Sequence, residues 1–421
     1  MMRGDGRLGT LAASAAIAAA LCLASCGNGS PEGQKPAAPP ALTQEQQEQI
    51  DRLRSLPYTG NAPTADSDAD GVAVLDEKRS SPGYSLYSVH QRCRAELIDA
   101  KGKVLRAWQL EPSSSWSNVE LLPNGDLLVA GWDANEQADA GIADDKRYVA
   151  RFDWNGKLLW KRMMPAHHDV EVTPAGDLLT LTFKRRMIPA FDKTIPVRDD
   201  RITVLDSQGN PKRSLSLFDI LSQAPGIFPI YRVNPNRAAG PPWIDLFHCN
   251  SIEWMRRPDL AKKSPLYGPN NVLVCFRHQD RIAIVDTEKQ KVLWAWGWGI
   301  VSAPHDAQVL DDGHILLFDN GIARGWSRAL ELDPLTGKVV WEYKAPNPRD
   351  LFSVSRGAAQ RLPNGNTLIT NSDHGTALEV TPSGDVVWRY NYPERNERGR
   401  RETIVRTKRY PPEFVEKLLK R

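Results

Sequence analysis

Ala303-Pro304-His305-Asp306-Ala307-Gln308-Val309-Leu310-Asp311-Asp312-Gly313-His314-Ile315-Leu316-Leu317-Phe318-Asp319-Asn320-Gly321 is the stretch that decides the fold. It reads as strand, tight turn, strand. Val309-Leu310 closes one apolar run, Asp311-Asp312-Gly313 is turn chemistry, and Ile315 to Phe318 is a short run of strand type. The same half-unit stands at Leu121-Leu122-Pro123-Asn124-Gly125-Asp126-Leu127-Leu128-Val129 and recurs around 172 and 361. When the turns are aligned, the residue six before each is Ser117, His168, His305 and Gly357, which sets a period of about 50 residues, in the range of β-propeller blades. A second half-unit ends on tryptophan: Leu158-Leu159-Trp160, Val292-Leu293-Trp294, Val339-Val340-Trp341 and Val386-Val387-Trp388.

One copy is disguised. Asp245-Leu246-Phe247-His248-Cys249-Asn250-Ser251-Ile252-Glu253-Trp254 opens like the others, then a polar excursion from Arg256 to Pro269 replaces the turn and Val272-Leu273-Val274-Cys275-Phe276 returns. With Tyr84-Ser85-Leu86-Tyr87-Ser88 as the first unit, the repeat predicts an all-β, six-bladed propeller over 71–410. Joining Gly71–Ser88 to the C-terminal strands would close the ring and remove exposed edges. Short helices are expected at both ends, over Thr43–Leu56 and in the segment 411–421. Ala224–Pro242, rich in Pro and Arg, reads as a loop over one face, and the Arg-rich tract Arg395–Arg409 as a solvated outer strand and tail rather than a surface for an anionic partner.

The N-terminus carries an address. Arg3 and Arg7 precede an alanine-rich apolar run from Leu8 to Leu23, and Leu23-Ala24-Ser25-Cys26 resembles the lipobox of bacterial lipoproteins. Residues 1–26 are therefore expected to be a signal peptide with Cys26 lipidated, and 27–70 a tether with a short helix. The absence of Asp beside Cys26 favours the outer membrane over the inner, on the periplasmic side. A net charge of +3 gives no reason to expect a nucleic-acid partner, and 25% charged residues suit a soluble globular body. Cys93, Cys249 and Cys275 remain, an odd number in an oxidising compartment; one disulfide with a free thiol and three buried thiols both fit. Asp66-Ser67-Asp68-Ala69-Asp70-Gly71 with Glu77 satisfies the EF-hand loop pattern, but prolines and a strand-like run stand where its helices belong, so an acidic linker is expected there.

Homologous positions on inner strands converge on a propeller's axis, so His168, His248 and His305 should ring one mouth of the channel. Asn250 lies two residues past His248, and Arg277 ends the return strand of the same blade in Phe276-Arg277-His278-Gln279. A cation and an amide beside imidazoles suit an anion with several oxygens, such as sulfate or phosphate. Three histidines also suit zinc, but no carboxylate stands at the equivalent position and an arginine beside a dication is unfavourable; no metal and no cofactor are expected.

His168-Asp169-Val170, Phe247-His248-Cys249-Asn250-Ser251-Ile252, Phe276-Arg277-His278-Gln279, Pro304-His305-Asp306-Ala307-Gln308 and Leu316-Leu317-Phe318-Asp319-Asn320-Gly321, taken in this order, resemble the bacterial PAPS-independent arylsulfate sulfotransferases. The opening Gly71-Val72 and Pro82-Gly83-Tyr84-Ser85-Leu86-Tyr87 is similar to the family's first strands. The resemblance implies a six-bladed propeller that moves a sulfuryl group from a phenolic sulfate donor to a phenol acceptor, with ping-pong kinetics through a sulfohistidine. It implies His305 as nucleophile, His248, Asn250 and Arg277 as ligands of the sulfuryl oxygens, and His168 as acid/base or oxygen ligand. The large N-terminal β domain of the best-known members is not recognisable here, which leaves the oligomeric state open. The competing expectation is a propeller lipoprotein that scaffolds envelope assembly; aligned channel histidines, for which such a scaffold has no need, discriminate the two. The calcium and cofactor ligands of a quinone-dependent dehydrogenase are not recognisable.

Overall fold

The computed structural model describes residues 69–421 except 91, 112, 114, 134–145, 236–241 and 256. Cys26, the tether, the N-terminal helix and most of the acidic pattern expected before Gly71 lie outside the described residues. Within them the chain forms six antiparallel sheets arranged as blades. β1 (Gly71–Leu75) belongs to the sixth blade. Blade 1 holds β2 (Tyr84–Val89), β3 (Arg94–Ile98) and β4 (Val104–Gln109), and blade 2 runs β5 (Ser115–Leu121), β6 (Leu127–Trp132), β7 (Arg147–Phe152), β8 (Leu158–Met163). Blade 3 is β9 (Ala166–Val172), β10 (Leu178–Arg186), β11 (Val197–Leu205) and β12 (Pro211–Ser216), with the short β13 (Ile244–Asp245) added parallel to β11. Blade 4 is β14 (Cys249–Trp254), β15 (Asn271–Phe276), β16 (Arg281–Asp286) and β17 (Lys291–Trp296). Blade 5 is β18 (His305–Val309), β19 (Ile315–Asp319), β20 (Arg328–Asp333) and β21 (Lys338–Tyr343). Blade 6 is β22 (Ala358–Arg361), β23 (Thr367–Asn371), β24 (Thr376–Val380) and β25 (Val386–Asn391), and β26 (Ile404–Tyr410) returns to blade 1.

Closure is doubled. β1 pairs with β25 as the outermost strand of blade 6, while β26 pairs with β2 as the innermost strand of blade 1. The two ends of the ring thus close two different blades, where the sequence suggested one joint. This also corrects the reading of the Arg395–Arg409 tract: its last third is not an outer strand but the wall of the channel, with Arg409 buried against Glu379. Alternation explains the assignment. In Ile404-Val405-Arg406-Thr407-Lys408-Arg409-Tyr410 the charges of Arg406 and Lys408 face the axis, and the strand's free edge is bonded to blade 6 by Thr407 N–H to Thr370 Oγ1 and Arg409 N–H to Gln360 Oε1.

Six apolar clusters stabilise the ring, one at each blade interface; Leu181 and Ile202 meet Cys249 and Val274, for instance, between blades 3 and 4. Each fully buried Leu or Val contributes about 1.5–3 kcal/mol. Tryptophans of four outer strands, Trp341 and Trp388 of the repeat with Trp108 and Trp296 outside it, add a polar tie: Nε1 of Trp108, Trp296, Trp341 and Trp388 donates to the carbonyl of Asp153, Gly337, Pro382 and Ala100, each on the outer turn of the next blade. The C-terminal helix (Pro412–Leu419) inserts Val415 and Leu418 between blades 1 and 2. Cys93, Cys249 and Cys275 are free and buried, and Cys249 is a core residue of the blade 3–4 interface whose thiol burial pushes far above its ordinary pKa. Asp70 is held by Arg395 and Arg401, so that member of the acidic pattern already has its cations. Among the described residues no helix is long and apolar enough to cross a membrane.

Candidate active site at the head of the axial channel

The inner strands β5, β9, β14, β18, β22 and β26 start at one end of the channel; β5, β9, β18 and β22 finish at tight turns, β14 at the longer excursion and β26 at the C-terminal helix. His168, His248 and His305 meet at the starting end. The rings of His168 and His248 are 5.0 Å apart, those of His248 and His278 4.6 Å, and Arg277 and His248 both act electrostatically on His305. His248, His305 and Arg277 are buried, and His168 keeps some accessible surface.

The three imidazoles are not presented alike. In β9, Leu181 pairs with His167 and Thr180 with Val170, so His168 and Asp169 bulge out; in β18, Phe318 pairs with His305 and Leu316 with Gln308, so Asp306 and Ala307 bulge out. His305 therefore occupies the paired place that His167 holds in blade 3. His168 and His248 adopt left-handed backbone, φ 60 and φ 49, as does Asp306 with φ 53. Such conformations cost about 1–3 kcal/mol each in a non-glycine residue and persist where surrounding packing imposes them. Bulges of this kind re-aim side chains. Blade 6 has Gly357 at the equivalent sequence position, because a Cβ there would run into the Phe318 ring.

His305 has a defined tautomer. Its Nδ1 lies 2.7 Å from Asn320 Oδ1 and 3.1 Å from the Ala303 carbonyl, both acceptors, so Nδ1 carries the hydrogen. The Asn320 amide cannot turn over, since its Nδ2 donates to the carbonyls of Ser353 (2.8 Å) and Arg356 (2.7 Å). Nε2 of His305 is consequently a lone pair, buried and without a hydrogen-bond partner. Burial, with the charge of Arg277 added, holds His305 well below the usual imidazole pKa, so the ring is neutral at pH 7. Burial and the neighbouring His248 do the same for His168.

His248 is gripped from behind. Its Nδ1 bonds to the Asp245 carboxylate, which Arg198 also attends at 3.8 Å; despite burial, His248 and Arg198 hold Asp245 well below the carboxylate range. His278 donates Nδ1–H to the Asp245 carbonyl (2.6 Å) and accepts from Arg277 Nη1 at Nε2 (2.8 Å), so it clamps the arginine. Asn250 gives an N–H to the Pro304 carbonyl (2.8 Å), which ties blade 4 to the turn before His305. Spacing alone located His168, His248, Asn250, Arg277 and His305; it missed Asp245, His278 and Asn320. A carboxylate does stand beside the histidines, Asp245, but three residues before His248 and not at the equivalent inner-strand position. Asp245, His248 and His278 offer ligand atoms within 4.8 Å of one another, yet both nitrogens of His278 are committed and two guanidinium groups adjoin, a poor setting for a dication.

The axial cavity, about 450 Å³, lies beyond the histidines and not among them. It is lined by Asp169, Glu171, Ser251, Glu253, Asp306 and Lys408. The carboxylates here are stitches: Asp169 accepts Ile252 N–H (3.0 Å), Glu171 accepts Trp254 N–H (2.9 Å), Glu253 accepts Val309 N–H (2.8 Å) and Asp306 accepts Ala359 N–H (3.2 Å). Each caps the free edge of the next blade's inner strand.

Among solved structures, a protein of unknown function from Bacteroides caccae is similar at 15% identity and a TM-score of 0.49, over 77% of this chain and 98% of that one. Virginiamycin B lyase from Staphylococcus aureus is similar at 14% and 0.37, over 66% and 71% of the two chains. BamB from Moraxella catarrhalis is similar at 12% and 0.33, over 76% and 77%. No curated protein matches. The family model for arylsulfotransferase (ASST) matches residues 118–393, from the inner strand of blade 2 to the end of blade 6 and across every histidine of the site; the chain belongs to the arylsulfotransferase family, which acts on phenolic substrates.

Proposed function

We propose that the protein transfers a sulfuryl group from a phenolic sulfate to a phenol through a sulfohistidine at His305. The observation that carries this reading is the buried, unpartnered Nε2 lone pair of a neutral imidazole whose tautomer Asn320 fixes. In the first half-reaction the Nε2 pair attacks sulfur, the sulfur–oxygen bond breaks and phenolate leaves with its electrons. In the second the acceptor loses its proton, its oxygen attacks sulfur and the pair returns to Nε2. Splitting the transfer in this way replaces one difficult displacement by two easier ones. Arg277, clamped by His278, and the second amide hydrogen of Asn250 hold the sulfuryl oxygens, where preorganised donors have the greatest effect on the barrier; His248, whose Nδ1–H is given to Asp245, joins them as a donor only with a second proton on Nε2. His168, neutral at pH 7, receives the acceptor's proton.

A scaffold for envelope assembly is the alternative, and it leaves the His305 arrangement without a purpose. Lipidation of Cys26 would place the enzyme on the periplasmic side of the envelope, at the outer membrane. Incubating the protein with a chromogenic aryl sulfate and a phenol, beside His305→Ala, tests the reading: wild type should release the donor phenol and form the acceptor's sulfate, and the variant should do neither. Equal turnover by the variant removes His305 from the mechanism, and no turnover by wild type across a broad donor panel favours the scaffold.

A further inference from the structure

The channel does not end at the histidines. On each inner strand that contributes both a site residue and cavity wall, the axial cavity begins one residue further on: at Asp169 after His168, at Ser251 after Asn250, at Asp306 after His305. Its far end is rimmed by Pro123 and Pro174, both exposed, and its walls are charged, so it is a place for water. At the level where chamber and cavity meet, Arg406 reaches across from blade 1. Its Nη2 lies 2.7 Å from Asp306 Oδ1 on blade 5, and its Nη1 and Nη2 each lie 3.5 Å from an oxygen of Asp169 on blade 3. The three residues belong to alternate blades, so the guanidinium spans the axis. A planar fork held by carboxylates on two sides is a rigid bar, which a lysine could not imitate. Burial opposes the charge of Arg406, and Asp306 and Asp169 outweigh it, so the bar stays charged.

Building on the sulfohistidine reading, we propose that Arg406 is the floor of the reaction chamber and decides between phenol and water as acceptor. A sulfohistidine must survive until a phenol arrives from above. Water rising from the cavity would attack sulfur, the nitrogen–sulfur pair would return to Nε2, and hydrogensulfate and a proton would be released. Arg406 is not a catalytic residue in this account; it acts by occupying the one level through which such water must pass.

The test is the partition of product. With the full chain, the donor phenol released and the free sulfate formed are both measured, with and without acceptor, for wild type, Arg406→Ala and Arg406→Lys. Arg406→Ala should raise the hydrolysed share by about tenfold and Arg406→Lys by less, and adding His305→Ala should abolish both products. A merely structural role lowers transfer and hydrolysis together and leaves the share unchanged. Arg406→Ala also leaves two buried carboxylates facing one another, so thermal unfolding is followed for both variants. An unchanged share in whichever variant unfolds cooperatively overturns the proposal. A wild type that releases no phenol breaks the sulfotransferase reading itself and the gate with it, whereas a wild type that transfers normally beside unaltered variants breaks the gate alone.

Discussion

The two ends of the axial channel are made from consecutive residues of the same inner strands and use their polar groups in opposite ways. At the head, His305 is held through one nitrogen and keeps the other free of any partner. Three residues past His168 and Asn250, Glu171 and Glu253 spend an oxygen on the backbone of the neighbouring blade, and Asp169 and Asp306, next after His168 and His305, add a cation shared across the axis. The buried group left unsatisfied stabilises nothing and is the chemical candidate; the satisfied ones hold the ring together. Burial therefore does not separate function from structure here; what marks His305 is a neutral imidazole with a fixed tautomer and an unpartnered Nε2 at the place where His168, His248 and Arg277 converge.

Breaking the head should show as rate, with little loss of fold. His305→Ala should lower transfer by on the order of 10⁴–10⁶-fold, as removal of a nucleophile does, while circular dichroism and the unfolding midpoint change far less than the rate. Activity within tenfold of wild type would mean that the free lone pair is incidental. Arg277→Ala should follow, with a loss of about 10²–10³-fold, the scale of one lost oxyanion donor. If only the KM for donor rises and kcat holds, the arginine steers the anion without stabilising the transferring sulfuryl group.

Asn320 gives a sharper instrument, because it touches the nucleophile without touching substrate. Asn320→Ala should lower kcat about 10–10²-fold by freeing the tautomer, on the scale of a lost buried hydrogen bond of about 1–3 kcal/mol. Asn320→Asp places a carboxylate on Nδ1–H, which favours the imidazolium. In wild type His305 titrates below the ordinary histidine range, so activity should persist as pH falls under 6; in the Asp variant the acid limb of the profile should move upward. A profile that stays in place while the rate drops would make Asn320 a structural strut.

How much of this was legible beforehand follows from what a repeat can encode. Turns such as Asp311-Asp312-Gly313 mark blade positions, and residues equivalent within blades must share a distance from the axis, so His168, His248 and His305 could be brought together without coordinates. Partners from another part of the topology could not. Asp245 precedes the blade whose histidine it grips, His278 differs from Arg277 by one place and points back to it, and Arg406 crosses from blade 1 to blades 3 and 5. The register inequality between His168 and His305 was also invisible, since it arises in the bulges and not in the spacing to the turn. The Arg395–Arg409 tract misled because charge density normally marks a solvated strand; only closure by β26 turns Arg406 and Lys408 toward the axis.

The smallest expected effect separates the two ends by pH. Burial raises Glu253 to about 7, and burial together with Glu253 raises Glu171 as well, because two carboxylates near one another resist ionising together. A raised acid stabilises the fold fully below its unfolded value, near 4.3, and that contribution is lost as pH climbs to 7. The head runs the other way: burial lowers His167 to about 4, so its neutral form costs stability as pH falls from 6.5 toward 4. Glu253→Gln keeps a carbonyl for Val309 N–H but never ionises. It should match wild type near pH 5 and exceed it by up to about 3 kcal/mol at pH 8, at about 1.4 kcal/mol for each pH unit across the window. Transfer activity should hardly change, since no site residue leans on Glu253. Denaturant titrations of both proteins at pH 5, 6.5 and 8 decide it: parallel stabilities would show that Glu253 is ionised throughout, that Lys408 and Arg257 suffice to neutralise it, and that the carboxylate end is an ordinary ion-pair belt rather than the proton-holding counterpart of the imidazole head.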